Sequence, residues 1–211
     1  MLNFTGRHKE AIEAGEEALA LVQNNSPPDS INLIRAEQAL ARTFGNAGLH
    51  DEAIRRHEDI TRRAIATLGA EHPDVESLKV SHAFVLDEAG RFPEAEALLR
   101  EVLESAEATG SYSYQQLIAL DNLAFLLGAR GDYEAAAVYN LTSISEKKKR
   151  FGENASQVLA TEFNYAIDLR RTGDLANAER MLRRIYEAYA KTTSRSNQET
   201  LHTAKSVAIT L

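Results

Sequence analysis

The chain has 211 residues, of which 44% are apolar and 26% charged, and this ordinary globular composition excludes a disordered or collagen-like protein. A formal net charge of −7 argues against broad electrostatic binding of nucleic acid. Cysteine is absent, which excludes a disulfide framework, thiolate metal ligands and a cysteine nucleophile.

The sequence predicts no contact with a membrane. No apolar run approaches the roughly 18 residues that a spanning helix needs. The first residues, MLNFTGRHKEAIEAG, lack the apolar stretch of a signal peptide. We therefore expect a cytoplasmic location.

A short motif, glycine followed five residues later by alanine, recurs along the chain. Its copies begin at Gly6, Gly48, Gly90, Gly131 and Gly173 and end at Ala11, Ala53, Ala95, Ala136 and Ala178, with spacings of 42, 42, 41 and 42 residues. A second column of alanines keeps the same phase, at Ala41, Ala83, Ala124, Ala166 and Ala208. Such self-similarity is the signature of a repeat protein.

Each period contains two helical patterns separated by chain breakers. In one of them, Leu120 and Leu127 recur at helical spacing, Gly131 turns the chain, and Leu141 and Ile144 continue the pattern on a second helix. The repeat unit is therefore predicted to be a helical hairpin. In chain order the predicted units are residues 1–28 (partial), 29–70, 71–112, 113–153, 154–195 and 196–211 (partial).

A single hairpin cannot bury its apolar stripe, so consecutive hairpins must stack and share a core. Small residues in the alanine columns let helices approach closely. We predict an all-α superhelix, an α-solenoid of about five hairpins, forming one domain over residues 1–211. The first unit lacks its first helix and the last unit lacks its second, and we therefore expect the chain to be a fragment of a longer protein.

These features resemble the tetratricopeptide repeat (TPR), in the longer form found in kinesin light chains. The motifs that carry the resemblance are LGAEHPDV at residues 68–75, LDNLA at 120–124, GDYEAA at 131–136 and FG at 151–152. Three positions depart from the pattern: the third unit has Lys79 and His82 where leucine is expected, and Gly15 replaces a larger residue in the first unit.

The resemblance implies that the first helices of the hairpins line a concave groove that binds an extended peptide. Asn122 and Asn164 match the asparagine column that holds the peptide backbone in the family, whereas Ser81 keeps only hydrogen-bonding character. The candidate groove residues are Arg35, Gln38, Arg42, Ser81, Phe84, Asp121, Asn122, Phe125, Phe163, Asn164, Ile167, Arg170, Arg171 and Lys205.

Apolar anchors between arginine clusters favour a segment that carries an aromatic residue or leucine and a few carboxylates. We therefore predict a non-catalytic scaffold that binds a protein or peptide, as the interaction module of a larger signalling or regulatory protein. The alternative for these side chains is structural: the aromatic rings pack between adjacent hairpins and the arginine heads are solvated. Two further hypotheses are a peptide-responsive sensor and self-association through Leu2, Phe4, Ile209 and Leu211 at the ends.

Catalytic and metal-binding motifs are missing from the sequence. His50 and His57 lie seven residues apart, without a His-Glu-x-x-His motif, so no metal or cofactor is predicted. His72 and His82 are expected to satisfy local hydrogen bonds. No nucleophile motif or glycine-rich phosphate loop is present, which predicts that the chain is not an enzyme. The basic run at residues 147–150 is interpreted as a helix end whose cations favour the dipole.

Overall fold

The computed structural model describes residues 6–28 and 30–192, and its regular elements in these ranges are all α-helices. They are α1 (Gly6–Asn25), α2 (Ile31–Asn46), α3 (His50–Leu68), α4 (Pro73–Glu88), α5 (Phe92–Thr109), α6 (Tyr114–Ala129), α7 (Tyr133–Phe151), α8 (Ser156–Arg171) and α9 (Leu175–Thr192). The prediction of an all-α fold built from helical hairpins is confirmed. Within the described ranges, no helix is both long and apolar enough to cross a membrane.

Contacts divide the chain into two compact units, residues 1–119 and 120–211, and the boundary falls inside α6. In the first unit, helices α1 to α5 pack in chain order, each against the next, and α2 also contacts α4. In the second unit, α8 packs against both α7 and α9. The hairpins are α2–α3, α4–α5, α6–α7 and α8–α9, and α1 precedes them and packs against α2.

The helix boundaries follow from local chemistry. Ser30 Oγ accepts a hydrogen bond from the Leu33 amide at 3.4 Å and caps α2, and Asp132 Oδ1 accepts one from the Ala135 amide at 3.2 Å and caps α7. The turn within the α6–α7 hairpin needs Gly131, whose φ of +87° is unfavourable for residues with a Cβ atom. Breakers and caps read from the sequence therefore lie where the helices end.

The alanine columns mark the closest contacts between helices. In the first unit, the core cluster joins three helices through Ile34, Ala41, Ile60, Ala64, Val75 and Leu78. Ala41 and Ala64 have no exposed surface. A larger side chain at either place would therefore separate the packed helices. In the second unit, Leu159, Ile185 and Ala188 form the corresponding core between α8 and α9.

Gly15 departs from the repeat pattern for a packing reason. A Cβ atom at this position would lie 2.9 Å from Leu40 Cδ1 of α2, and Leu40 is buried. The missing side chain on α1 therefore makes room for a leucine on the neighbouring helix.

Candidate functional site

In the first unit, several of the predicted groove residues are engaged in bonds within the protein. Arg35 forms two hydrogen bonds with the Asp74 carboxylate, at 2.7 and 3.1 Å. Gln38 Nε2 donates to Ser77 Oγ at 3.0 Å and to Ser81 Oγ at 3.1 Å. These bonds join α2 to α4, so Arg35, Gln38 and Ser81 link consecutive repeats.

Two other predicted residues of the first unit face solvent. The ring of Phe84 is 50% exposed, although it lies next to the fully packed Ala83. Arg42 is exposed and forms no hydrogen bond or ion pair with the part of the chain that the structure describes. An exposed ring and an unpaired guanidinium at the same repeat position of two neighbouring helices offer one apolar and one cationic contact.

In the second unit, Asp121 belongs to a polar network that joins three helices. Ser143 Oγ donates to Asp121 Oδ1 at 2.6 Å, and Thr161 Oγ1 donates to the same oxygen at 3.0 Å. Lys147 Nζ pairs with Asp121 Oδ2 and donates to Thr161 Oγ1 at 2.8 Å. Lys147 is buried and lies before the last turn of α7, so the helix-end interpretation of the basic run applies to Lys148, Lys149 and Arg150 but not to Lys147.

Phe125, Asn122 and Asn164 form a different kind of surface in the second unit. The Phe125 side chain is 62% exposed, Asn164 is exposed and Asn122 is half-buried. Neither asparagine amide forms a hydrogen bond with any described residue. Both asparagines stand two residues before a buried alanine, Ala124 or Ala166, on the first helix of a hairpin. A free amide can bind a peptide backbone, and an exposed ring can bind an apolar side chain.

The remaining predicted residues are partly used by the fold. Phe163 is half-buried and packs on the α8–α9 core, and Ile167 and Arg170 are also half-buried. Arg171 Nη1 lies 3.7 Å from Asp168 Oδ1. Burial raises the pKa of Asp168, while the charge of Arg171 and a hydrogen bond from Asn140 at 3.3 Å oppose that shift. Lys205 lies outside the described residues.

Sequence reasoning missed two buried ion pairs. Lys79 Nζ of α4 lies 2.8 Å from Glu101 Oε1 of α5. Glu162 of α8 lies 2.9 Å from Lys148 Nζ and pairs with Arg184 of α9. The buried residue of each pair, Lys79 or Glu162, lies four residues before an alanine of the second column. A charged residue at this core position is the sequence feature that could have revealed the pairs.

Among the described residues, no group of three or more His, Cys, Asp or Glu side chains is arranged to hold a metal ion. Each of these two ion pairs lines an open cleft. The other charged residues of the cleft at Lys79 are Glu71, Glu76, Glu101 and Glu104. Those of the cleft at Glu162 are of both signs: Lys148, Glu153, Asp174, Arg180 and Arg184. What the exposed first-helix surfaces offer is non-covalent binding through a ring, two amides and a guanidinium.

The family model of the tetratricopeptide repeat matches residues 1–66 and 74–145, more than half of the chain, and a second tetratricopeptide repeat model matches residues 159–184. No curated protein matches the sequence significantly. Two crystal structures of nearly identical TPR-like repeats, from a Podosopora anserina protein described as a kinesin light chain, are similar to this chain. Both are 22% identical; one covers 89% of each chain with a TM-score of 0.72, the other 90% of each with 0.70.

BtubC (BKLC) from P. vanneervenii has a similar fold at 17% identity, with a TM-score of 0.84 over 96% of this chain and 82% of the other. At these identities the structural neighbours establish the fold alone. The residues matched by the family models span both compact units. The chain belongs to the tetratricopeptide repeat family.

Proposed function

We propose that the chain is the non-catalytic interaction module of a larger regulatory protein and that its exposed first-helix surfaces bind an extended peptide segment of a partner protein. The observation that carries the proposal is the surface of the second unit, where Phe125 is 62% exposed three residues after the free amide of Asn122 on α6, and Asn164 offers a free amide at the same repeat position of α8. Membership of a family of interaction scaffolds supports it.

The chemistry of this surface suits an extended peptide. An amide side chain carries two donors and one acceptor, so a single asparagine can pair with both the carbonyl and the N–H of a peptide backbone. Phe125 adds an apolar anchor, because a ring that is open to water gains free energy when a partner side chain covers it. Recognition of this kind fixes the path of the backbone through the amides and selects for an apolar residue through the ring.

The first unit carries an exposed surface of its own, with a different chemistry. Arg42 has no ionic partner among the described residues, and Phe84 is half exposed on the neighbouring helix. A carboxylate of the ligand can pair with the guanidinium, while an apolar side chain covers the ring. We therefore expect ligand segments that carry both acidic and apolar residues.

The test compares two double variants of the full chain as baits for partner proteins from the native cell extract. Phe125→Ala/Asn164→Ala removes the ring and one amide. Val138→Ala/Leu141→Ala is the matched control, because these side chains are also exposed, by 61% and 50%, but lie on the second helix α7. Peptides from each captured partner are then titrated against the purified baits by fluorescence anisotropy.

We expect the first variant to weaken binding about tenfold, since truncating a central anchor costs at least about 1–2 kcal/mol. The α7 variant should bind as the wild type does, and circular dichroism should show equal helicity for all three. A ligand that binds both variants equally well, or that only the α7 variant loses, contradicts the assignment. A mass that rises with concentration and no bound partner would favour self-association.

A further inference from the structure

Two histidines of the first compact unit face each other across the contact between α3 and α4. The rings of His57 and His82 are nearly parallel, at 8°, and their centroids lie 5.6 Å apart. His57 has no exposed surface, and His82 is largely covered. The two helices belong to consecutive hairpins, so the stacked pair forms part of the joint between two repeats.

The pair lacks the hydrogen bonds that buried imidazoles normally make. Both ring nitrogens of His57 and Nε2 of His82 are buried without a partner in the part of the chain that the structure describes. The expectation that His82 satisfies local hydrogen bonds is therefore wrong for this nitrogen. The nitrogen lone pairs lie in the ring planes, and two stacked, nearly parallel rings do not direct them to one point, as two ligands of one metal ion would.

The surroundings of His57 strongly disfavour its protonated form. Burial lowers the pKa of His57 to about 3, and the neighbouring charges of His82 on α4 and Arg42 on α2 lower it in the same direction. His57 lies on α3, and helices α2 and α4 pack against α3. The charged groups of these two helices that act on His57 all disfavour a positive charge on its ring. Among the residues that the structure describes, no carboxylate shifts the pKa of His57 in the opposite direction.

His82 is held neutral by burial as well, but its neighbours are mixed. Burial lowers the pKa of His82, and Arg91, which precedes α5, lowers it further. Glu58 on α3 and Glu94 on α5 act in the opposite direction. Glu94 is already paired with Arg91 at 2.5 Å, which leaves Glu58 as the main favourable charge for a protonated His82.

We propose that the α3–α4 joint is a pH-sensitive switch, which stays closed while both imidazoles of the His57–His82 pair are neutral and opens when either one gains a proton. Opening hydrates the rings and separates the first two complete hairpins of the unit. The switch stands on the stacked, buried and unbonded geometry of the pair. It does not depend on peptide binding by the exposed surfaces.

The direction of the pH effect follows from linkage. A histidine in the open or unfolded chain titrates near 6.5, and His57 in the closed joint titrates at about 3. Its contribution to stability is therefore present above pH of about 6.5 and is lost as the pH falls towards 3. From pH 7.5 to pH 5, His57 alone should raise the opening equilibrium constant about 30-fold.

Hydrogen exchange of the full-length chain, read helix by helix with mass spectrometry and corrected for intrinsic rates, tests the proposal at pH 7.5 and pH 5. We expect the protection of α3 and α4 to fall by about 30-fold at the lower pH, while that of α8 and α9 changes by less than about threefold. An equal loss in all four helices, or no loss in α3 and α4, overturns the switch. This measurement needs no variant.

The variant His57→Leu/His82→Leu gives the second test, since leucine is neutral at every pH and fills a similar volume. Its α3 and α4 amides should keep the same protection at both pH values. The control His72→Asn retains an acceptor at the start of α4, where His72 Nδ1 accepts from the Asp74 amide at 3.2 Å, and should respond to pH as the wild type does. A double variant that keeps the wild-type pH response overturns the proposal.

Discussion

Two hairpins of this protein carry a buried ion pair at the same repeat position but with opposite polarity. In α4–α5, the first helix supplies the cation, Lys79, and the second helix the anion, Glu101. In α8–α9, the first helix supplies the anion, Glu162, and the second helix the cation, Arg184. The first-helix members stand four residues before a column alanine, and the second-helix members six residues after one.

The reversal teaches that a charged residue at this position is paired with an opposite charge, and that either sign is tolerated. In α2–α3 the same place holds Glu37, whose partner Arg63 lies at 2.5 Å and also binds Asp59 at 3.0 Å. In α6–α7 it holds the apolar Leu120, which is fully buried. The cross-helix contact is thus a feature of the fold, while its chemistry differs from hairpin to hairpin.

The two pairs share an asymmetry in burial. The Lys79 side chain is 7% exposed and that of Glu101 51%, whereas Glu162 is 3% exposed and its partners Lys148 and Arg184 are 34% and 35% exposed. The first-helix charge is therefore the buried one in both hairpins. Losing its partner leaves it without compensation, while the partner itself can still be solvated. Four variants test this difference.

The largest effect is expected for Glu162→Lys. A lysine here would join Lys148 and Arg184 at a buried site, where the exposed Glu153, 3.8 Å from Lys148, compensates little of the added charge. This should lower the free energy of unfolding of the second unit by about 4 kcal/mol. Urea unfolding followed by circular dichroism, with hydrogen exchange of α8 and α9, measures the loss. The matched control Glu187→Lys, at an exposed site of α9, should change stability by less than about 0.5 kcal/mol.

Adding Arg184→Glu to Glu162→Lys would create the polarity seen at Lys79 and Glu101. We expect the double variant to recover part of the lost stability, because the new lysine regains a carboxylate partner, although Lys148 remains nearby. A double variant that is less stable than Glu162→Lys would contradict the view that either polarity suits this position.

A smaller effect is expected for Glu101→Ala in the first unit. The buried ammonium of Lys79 would lose its paired carboxylate, and we expect a loss of about 2–3 kcal/mol in the free energy of unfolding, measured by urea denaturation. Glu104→Ala provides the control, since Glu104 is exposed on the same helix and lines the same cleft. Equal effects of the two substitutions would show that the pair with Lys79 contributes nothing specific.

The smallest effect is expected for Lys79→Met. Methionine retains most of the volume of lysine without the buried charge, and Glu101, half exposed, remains hydrated, so stability should change by less than about 1 kcal/mol. The same urea titration gives the result. If Lys79→Met destabilises as much as Glu101→Ala, the attraction within the pair outweighs the desolvation of the lysine, and the burial asymmetry is not the controlling factor.

The candidate binding surface was only partly predictable, and the reason is geometric. Helical spacing identifies the residues on one face of a first helix, but it does not say which of them touch the next repeat. Gln38 and Asp121 occupy the same repeat position, and the side chains of both form hydrogen bonds with another helix. Gln38 donates to Ser77, and Asp121 accepts from Thr161. Exposure of Phe84 and Phe125, in contrast, agrees with the face that periodicity assigns to them.

The sequence by itself determined the helices, their pairing in hairpins and the family. Glycines at turns, alanines at close contacts and polar caps act locally or through a fixed repeat, so they can be read from spacing alone. Only the tertiary structure decided which charges are buried, which polar side chains link repeats and which remain free to bind. Partners such as Lys147 and Asp121, or His57 and His82, are 25 or 26 residues apart, and side-chain packing alone brings them together.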